Sequence, residues 1–341
     1  DRGRPGLTVR AGLEQKLNAI WYGAERLPFW LKPLAAVYRA GQAADRARQL
    51  RQQPEDLRNA SIVVVGNLTA GGAGKTPLVI RICELLGGAG LKAGVISRGY
   101  GRKGAGLLRV GPDSRPEDAG DEPVLIARRT GAPVIVDADR CKAARALLAD
   151  GVDVVVSDDG LQHYRLPRSV EVCVLDGARG LGNGRLLPAG PLREPAQRLQ
   201  SVDFVIVNGG EIDRFSIPGA VSMSLVPGRL RSLCGTQSWR LSEFAGCRVN
   251  AVAGIGNPER FFDTLRSARI TVNEYAFPDH HEFTPADFES LEPELPVLMT
   301  EKDAVKASAF SLENAWYLEV DAALPREWET AFLARMMQEK S

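Results

Sequence analysis

The sequence predicts an α/β protein in which helices flank a parallel sheet, with a smaller C-terminal α/β domain and an N-terminal amphipathic helix. Residues 62–65 form a continuous β-branched run, as expected of a strand buried on both faces of a parallel sheet. Amphipathic stretches of helical period lie between several such runs. This alternation is typical of α/β proteins.

The elements are predicted in order from residue 61. After the strand at 62–65, a helix opens at Pro77 and ends at Gly87-Gly88. Residues 140–149 form a further predicted helix. The remaining strands are predicted at 93–97, 134–136, 152–157, 170–175 and 204–207.

A second unit is predicted after Asn208. Residues 217–232 have the pattern of an extended connector, and 249–253 begin a strand-turn-helix at GIGNPERFF. Glu259 stands where a dinucleotide fingerprint has its third glycine, so an ordinary strand-to-helix turn is favoured. The predicted domains are an N-terminal helix (1–52), a nucleotide-binding domain (53–225) and the smaller α/β domain (226–341), with a connector at about 216–240.

Composition excludes some partners. The 341 residues are enough for two domains, and 43 basic against 42 acidic residues give a net charge of +1. No global field therefore favours nucleic acid, and no obligatory protein partner is evident. The five scattered cysteines lack metal-site spacing and are predicted to be small core side chains in a reducing compartment.

Residues 10–51 differ from the rest of the chain. Eight basic residues face three acidic ones, and Trp21, Trp30 and Tyr38 recur with aliphatic residues at helical spacing. Such a helix suits a bilayer interface, and it suits packing on its own domain equally well. With neither a secretory signal pattern nor a long apolar run, the chain is expected to be soluble or bound to a membrane surface.

The stretch GNLTAGGAGKT at 66–76 follows the first predicted strand and nearly matches a phosphate loop. Thr69 replaces the first glycine, but the later glycines keep the backbone permissive where it wraps phosphates. Lys75 is predicted to reach the phosphates and the Thr76 hydroxyl to ligate Mg²⁺, so the fold is of the P-loop NTPase type. The predicted nucleotide-binding residues are Thr69, Ala70, Gly71, Gly72, Ala73, Gly74, Lys75 and Thr76.

Carboxylates and imidazoles supply further candidates. The strand at 152–157 runs into Asp158 and Asp159, where a phosphate-loop protein needs a metal-associated acid. Two solvated acids in a turn are the alternative. His163 lies in DDGLQH, and His280 and His281 lie in FPDHHEF, both polar surroundings that favour function.

Nine segments together resemble a known family, the tetraacyldisaccharide 4′-kinases of lipid A biosynthesis. They follow the family's order across nearly the whole chain. The segments are GNLTAGGAGKTP, SRGYGR, GDEPVLIA, DADR, DDGLQH, LLPAGPLREP, AGIGNPERFF, FPDHHEF and TEKDAVK.

The resemblance implies transfer of the ATP γ-phosphate to the 4′-hydroxyl of a lipid-linked disaccharide 1-phosphate, giving the lipid A precursor lipid IVA. It also implies a peripheral protein at the cytoplasmic face of the inner membrane, with ATP and Mg²⁺ as cofactors. Asp121 would be the catalytic base and His280 its partner, with Lys75 on the phosphates. Thr76, Asp158 and Asp159 would hold the metal. His163, Arg140 and Glu194 would line the acceptor or nucleotide side. Arg98 and Lys302 would be cations for the phosphates of ATP or of the acceptor.

Several alternatives stay open at this stage. Leu161 stands where the family has phenylalanine, and His281 is a second candidate for the partner of Asp121. Either Asp158 or Asp159 could contact the metal directly. The charged candidates Arg98, Arg140, Glu194 and Lys302 would serve equally well in surface salt bridges. A switch or partitioning ATPase, which uses a similar loop, is the rival class of function.

Overall fold

The computed structural model describes residues 16–23, 27–210, 217–279, 281–310 and 312–338. The chain divides into two compact units, each built from separated stretches. The first unit comprises residues 1–75, 157–223 and 324–341, and the second comprises 76–156 and 224–323. The contiguous domain ranges expected from the sequence are a different division and stay a prediction.

Helices and strands alternate along most of the described chain. The helices are α1 (16–22), α2 (Leu31–Arg51), α3 (Lys75–Gly88), α4 (Pro116–Ala119), α5 (Asp121–Thr130), α6 (Arg140–Ala149), α7 (Pro258–Ser267), α8 (Pro285–Glu289), α9 (Glu301–Ala307) and α10 (Arg326–Gln338). The strands are β1 (Ile62–Gly66), β2 (Ala93–Ser97), β3 (Leu108–Val110), β4 (Val134–Val136), β5 (Val154–Ser157), β6 (Val170–Asp176), β7 (Phe204–Asn208), β8 (Val221–Ser232), β9 (Ser238–Arg240), β10 (Arg248–Ala253), β11 (Thr271–Ala276), β12 (Val297–Thr300) and β13 (Ala315–Ala323).

The first unit contains a parallel sheet in the order β1, β6, β7 and the first residues of β8. Val63 pairs with Val170, Val172 with Phe204, and Ile206 with Val221. Every residue of β1 is buried, because the apolar run has no polar face to turn towards water. Burial continues through Thr69, so the first residues of the phosphate-loop stretch are buried as well.

Aromatic packing attaches α10 to the same unit. The rings of Trp328 and Phe332 stack with centroids 5.3 Å apart. Phe204 of β7 meets Trp328 edge to face at 5.7 Å. Phe332 is fully buried, so one face of α10 closes the core of the first unit.

The second unit contains two ladders. In one, the strand order is β5, β2, β4 and β3, with β2 parallel and β3 antiparallel to β4. In the other, the order is β11, β10, β12, β13 and β8, parallel except for the antiparallel pairing of β13 with β8. Helices α5 and α9 pack against each other. Because α5 follows β3 and α9 follows β12, this packing joins the two ladders.

The α/β class with mostly parallel strands is confirmed, and most predicted bounds agree with it. Strands β2 and β4 and helix α6 have the predicted limits. Asp139 caps α6 by accepting hydrogen bonds from the backbone N–H groups of Cys141 and Lys142. The expected connector at 217–232 is instead mostly strand β8, because it pairs with β7 and β13.

The cysteine prediction is right for three residues and wrong for two. Cys83, Cys141 and Cys173 are buried free thiols, whereas Cys234 and Cys247 are exposed. Burial raises the pKa of the Cys83 and Cys173 thiols to about 12. The two exposed cysteines lie within residues 233–247, a region of short elements and turns in which most residues are exposed or half-buried.

The predicted N-terminal segment divides into docked and exposed residues. The Trp21 indole donates a hydrogen bond to the Pro188 carbonyl (3.0 Å), and the Tyr38 hydroxyl donates one to the Arg193 carbonyl (3.0 Å). Phe29 and Trp30, by contrast, are 80% and 55% exposed. Trp21 and Tyr38 thus attach the segment to the first unit, whereas its contact with a bilayer stays a prediction. Within the described ranges, no helix is both long and apolar enough to cross a membrane.

Replacing Phe332 by alanine should lower the free energy of unfolding by about 3–5 kcal/mol, because the substitution leaves a cavity among buried aromatic rings. Urea unfolding followed by circular dichroism measures the effect. Met337→Ala on the same helix, at a position that is 53% exposed, should change stability by less than about 0.5 kcal/mol. Equal effects of the two substitutions would contradict the packing described for α10.

Candidate functional site

The loop between β1 and α3 is braced by the segment at 186–195. The Ala70 N–H donates to the Pro191 carbonyl (2.8 Å), and the Arg193 N–H donates to the Leu68 carbonyl (2.7 Å). Thr69 forms a β-bridge with Leu192 and is buried. Threonine is therefore accommodated where a glycine is usual, because this position is extended and paired.

Farther along the loop, glycine geometry is required. Gly71 and Gly74 have φ angles of 106° and 86°, which side chains disfavour. The Asn67 side-chain amide donates to the Gly71 carbonyl, and that of Asn208 donates to the Ala73 carbonyl, both at 3.1 Å. A Cβ on Gly74 would lie 2.3 Å from Nδ2 of Asn208. These two asparagines hold the loop's curvature, and neither is among the predicted site residues.

Asp159 lies between two cations at the start of α3. Its carboxylate is 3.3 Å from Nζ of Lys75 and 3.3 Å from Nη1 of Arg193. Its φ of 47° is unusual for a residue other than glycine, and such conformations concentrate at functional sites. The structure thus brings together Lys75 and Asp159. It adds Arg193, which was quoted within LREP but not singled out.

Asp158 is buried directly after β5, with 1% of its surface exposed. The carboxylates of Asp158 and Asp159 and the hydroxyl of Thr76 are oxygen donors of the kinds that Mg²⁺ prefers. Thr76 is the second residue of α3. The donor types therefore fit the metal implied by the sequence.

A buried polar network lies beside the loop in the first unit. Glu194 accepts hydrogen bonds from Gln162 (3.0 Å) and from the Tyr164 hydroxyl, which also accepts one from Arg198 (2.9 Å). Burial, followed by the effect of Glu194, raises the pKa of Tyr164 to about 12. His163 takes part through its carbonyl, which accepts from Arg168 (2.6 Å). The Glu194 carboxylate is thus hydrogen-bonded to other side chains of the protein.

A cavity of about 390 Å³ opens between α2 and this network. The guanidinium of Arg46 lies over the Tyr164 ring at 4.7 Å, at the edge of the cavity. The Tyr38 hydroxyl bonds the Arg193 backbone on the same side. The lining residues are Tyr38, Gly41, Gln42, Asp45, Arg46, Gln162, Tyr164 and Arg193.

The second unit contains a separate cluster around Asp121, the first residue of α5. Among the described residues, the ammonium of Lys302 lies 3.7 Å from Asp121, 3.3 Å from Glu122 and 3.8 Å from Asp279. Burial lowers the pKa of Lys302, but the three carboxylates outweigh burial and raise that pKa above its ordinary value. Glu122 and Asp279 were not among the predicted site residues.

Glu301 and Arg129 form a buried ion pair next to this cluster. Glu301 accepts from Nη1 of Arg129 (2.7 Å) and from the Val320 N–H (3.0 Å). Burial of the carboxyl exceeds the effect of Arg129 and raises the pKa of Glu301 to about 7. This ionisable group therefore titrates near neutrality while anchoring the first turn of α9.

Arg98, Arg140 and His281 are the remaining candidates among the described residues. Arg98 is exposed just after β2, and Arg140 is buried as the first residue of α6. The imidazole of His281 contacts Asp287 (3.1 Å) and stacks on Phe277. His280 lies outside the described residues, so its pairing with Asp121 stays a prediction.

Comparisons with known proteins identify related chains. The family model described as tetraacyldisaccharide-1-P 4′-kinase matches residues 27–337. A tetraacyldisaccharide 4′-kinase of Pseudomonas putida (strain W619) is 47% identical over 314 residues, which cover 91% of this chain and 92% of that protein. One of Hahella chejuensis is 46% identical over 335 residues, with 95% and 97% covered. A crystal structure of LpxK from Aquifex aeolicus in complex with ATP superposes with a TM-score of 0.73 at 28% identity, covering 89% of this chain and 97% of that one.

The raised pKa of Glu301 predicts a pH-dependent stability. Between its ordinary pKa of 4.5 and about 7, the unfolded chain loses the Glu301 proton and the folded chain keeps it. The contribution of Glu301 to stability is therefore full below about pH 4.5 and lost as the pH rises to about 7. Relative to Glu301→Gln, the wild type should lose roughly 3 kcal/mol of unfolding free energy across this window.

Denaturant titrations at several pH values measure this difference, with the exposed Glu259→Gln as a matched control. A difference between wild type and Glu301→Gln that stays constant with pH would mean that Glu301 is ionised throughout.

Proposed function

The chain belongs to the tetraacyldisaccharide-1-phosphate 4′-kinase family, and on that premise we propose that it phosphorylates the 4′-hydroxyl of a tetraacyldisaccharide 1-phosphate in lipid A biosynthesis. ATP is the phosphate donor. The observation that carries the proposal is the phosphate loop, in which Lys75 opens α3 beside Asp159. A loop of this kind binds the phosphates of a nucleotide. The family match over 27–337 indicates which acceptor is phosphorylated.

The nucleotide side of the reaction belongs to residues 69–76. Backbone N–H groups of this stretch, apart from that of Ala70, which donates to Pro191, bind the phosphate groups of ATP together with the Lys75 ammonium. Thr76, Asp158 and Asp159 would hold Mg²⁺. When bound, the ion neutralises charge on the transferring phosphate. Arg193, which pairs with Asp159, adds a further positive charge to the phosphate side.

The acceptor hydroxyl needs a base, and we assign this role to Asp121. Its carboxylate takes the hydroxyl proton as the new oxygen–phosphorus bond forms. The bond from the γ-phosphorus to the bridging β-phosphate oxygen breaks at the same time, and ADP leaves. His280 is the proposed partner of Asp121. Arg98 and Arg140 are assigned to the phosphates of ATP or of the acceptor.

The acceptor carries acyl chains, so we also propose peripheral contact with the cytoplasmic face of the inner membrane. The apolar residues Phe29, Trp30, Leu34 and Val37 are exposed at and near the start of α2. Exposed Lys32 lies among them. Aromatic and aliphatic side chains beside a cation are suited to the interface of an anionic bilayer.

Asp121→Asn should reduce kcat for phosphate transfer by about 10²–10⁴-fold, because an amide cannot accept the hydroxyl proton. Lys75→Ala should abolish transfer at ordinary ATP concentrations. The assay follows labelled γ-phosphate from ATP into tetraacyldisaccharide 1-phosphate in detergent micelles with Mg²⁺. The control variants are Asp263→Asn and Lys92→Ala, at exposed positions of the second unit. Hydrolysis of ATP without labelled lipid would instead favour the switch-ATPase class.

Trp30→Glu should weaken sedimentation with anionic vesicles several-fold, because it places a carboxylate among side chains that would enter the headgroup region. Met337→Glu is the matched control, since Met337 is 53% exposed and Trp30 is 55% exposed. Equal binding of both variants and the wild type would rule out the start of α2 as the membrane contact.

A further inference from the structure

The segment TEKDAVK at 300–306 has no part in the function proposed so far. It covers the end of β12 and nearly all of α9. Its second and fourth residues, Glu301 and Asp303, are buried acids. Burial of charged side chains is costly unless specific partners compensate. The contacts of these acids indicate what the segment does.

Asp303 fixes α9 to the turn after β10. Its carboxylate accepts hydrogen bonds from the Gly254 N–H (2.9 Å) and the Thr300 hydroxyl (2.6 Å), and it pairs with Lys306 (2.9 Å). The Thr300 hydroxyl in turn accepts from the Asp303 N–H at 3.2 Å and so caps the helix. The first turn of α9 is thus tied to the GIGN turn by a fully buried carboxylate.

Glu301 fixes the same turn from another side. Through Arg129 it is bound to the last turn of α5, and through the Val320 N–H it is bound to β13. Arg129 also pairs with Asp321 of β13. A helix held by both neighbouring residues of Lys302 has little freedom to rotate. The direction of the Lys302 side chain is therefore set by the fold.

Lys302 points towards the first turn of α5. Its side chain is 19% exposed, and its ammonium lies within 4 Å of the carboxylates of Asp121, Glu122 and Asp279. The nearby pairs Lys306 with Asp303 and Arg129 with Glu301 are each of opposite charge. In the described part of the chain, three carboxylates thus surround one ammonium. Because their negative charge would repel phosphate, this is a poor position for a lysine that binds phosphate.

We propose that Lys302 is a positioning residue for the transfer reaction, holding Asp121 ionised and in a fixed place so that it can accept the hydroxyl proton. Glu301 and Asp303 serve to fix Lys302. The inference rests on the proposed function, because it gives the base assigned there its electrostatic support. An opposite charge this close favours the ionised carboxylate, and its removal leaves neighbouring carboxylates to repel one another.

The test compares wild type, Lys302→Met, Lys302→Arg and the control Lys92→Met in the micellar kinase assay over a range of pH. In Lys302→Met, the acidic limb of kcat/KM should move about 1–3 units towards higher pH, because Asp121 then needs a higher pH to ionise. Activity of this variant should recover in part as the pH rises, with KM for ATP unchanged. Lys302→Arg should keep a profile near that of the wild type.

Two outcomes would overturn the inference. A higher KM for ATP or for the lipid acceptor with an unshifted acidic limb would make Lys302 a phosphate ligand. Equal loss of activity at every pH in Lys302→Met, or no change at all, would remove its electrostatic role.

If the proposed function is wrong, the wild-type protein will transfer no labelled phosphate to the lipid acceptor. The inference is then decided by ¹³C carboxyl NMR titration, with the Asp121 signal assigned through Asp121→Asn. The titration midpoint of Asp121 should be higher in Lys302→Met than in the wild type. Identical midpoints would overturn the inference.

Discussion

The shape of the phosphate loop depends on hydrogen bonds from outside the loop. Asn208 holds the Ala73 carbonyl, and residues 191–193 pair with the backbone on the other side. Backbone N–H groups can cradle phosphate only while the loop keeps the curvature that these bonds hold. This requirement explains why Thr69 is tolerated and Gly74 is not replaceable. It also places Arg193 next to Asp159, because Arg193 directly follows Leu192, which forms the β-bridge with Thr69.

The two polar clusters have opposite charge balances. In the first unit, the carboxylate of Asp159 faces the cations Lys75 and Arg193. In the second unit, the ammonium of Lys302 faces three carboxylates of the described chain. Paired cations suit polyphosphate, whereas a surplus of carboxylate suits acceptance of a proton. Under the proposed function, each cluster would serve one half of a phosphate transfer to a hydroxyl.

Several buried acids of the motif segments bond other groups of the protein. Glu194 resembles a site residue in the sequence, but its carboxylate bonds Gln162 and Tyr164 inside the first unit. Glu301 and Asp303 act likewise on the backbone and on paired cations. These acids stabilise the positions of neighbouring residues. In this protein, a motif residue can serve the site by fixing the one beside it.

The sequence by itself determined the α/β class, the limits of β2, β4 and α6, and the phosphate-loop stretch. These features depend on local period, capping and glycine geometry, which neighbouring residues specify. Only the tertiary structure decided which side chains meet. Asn208 and Ala73 are 135 positions apart, and Lys302 and Glu122 are 180 apart. Contacts over such separations arise from how strands and helices pack, and no local pattern encodes them.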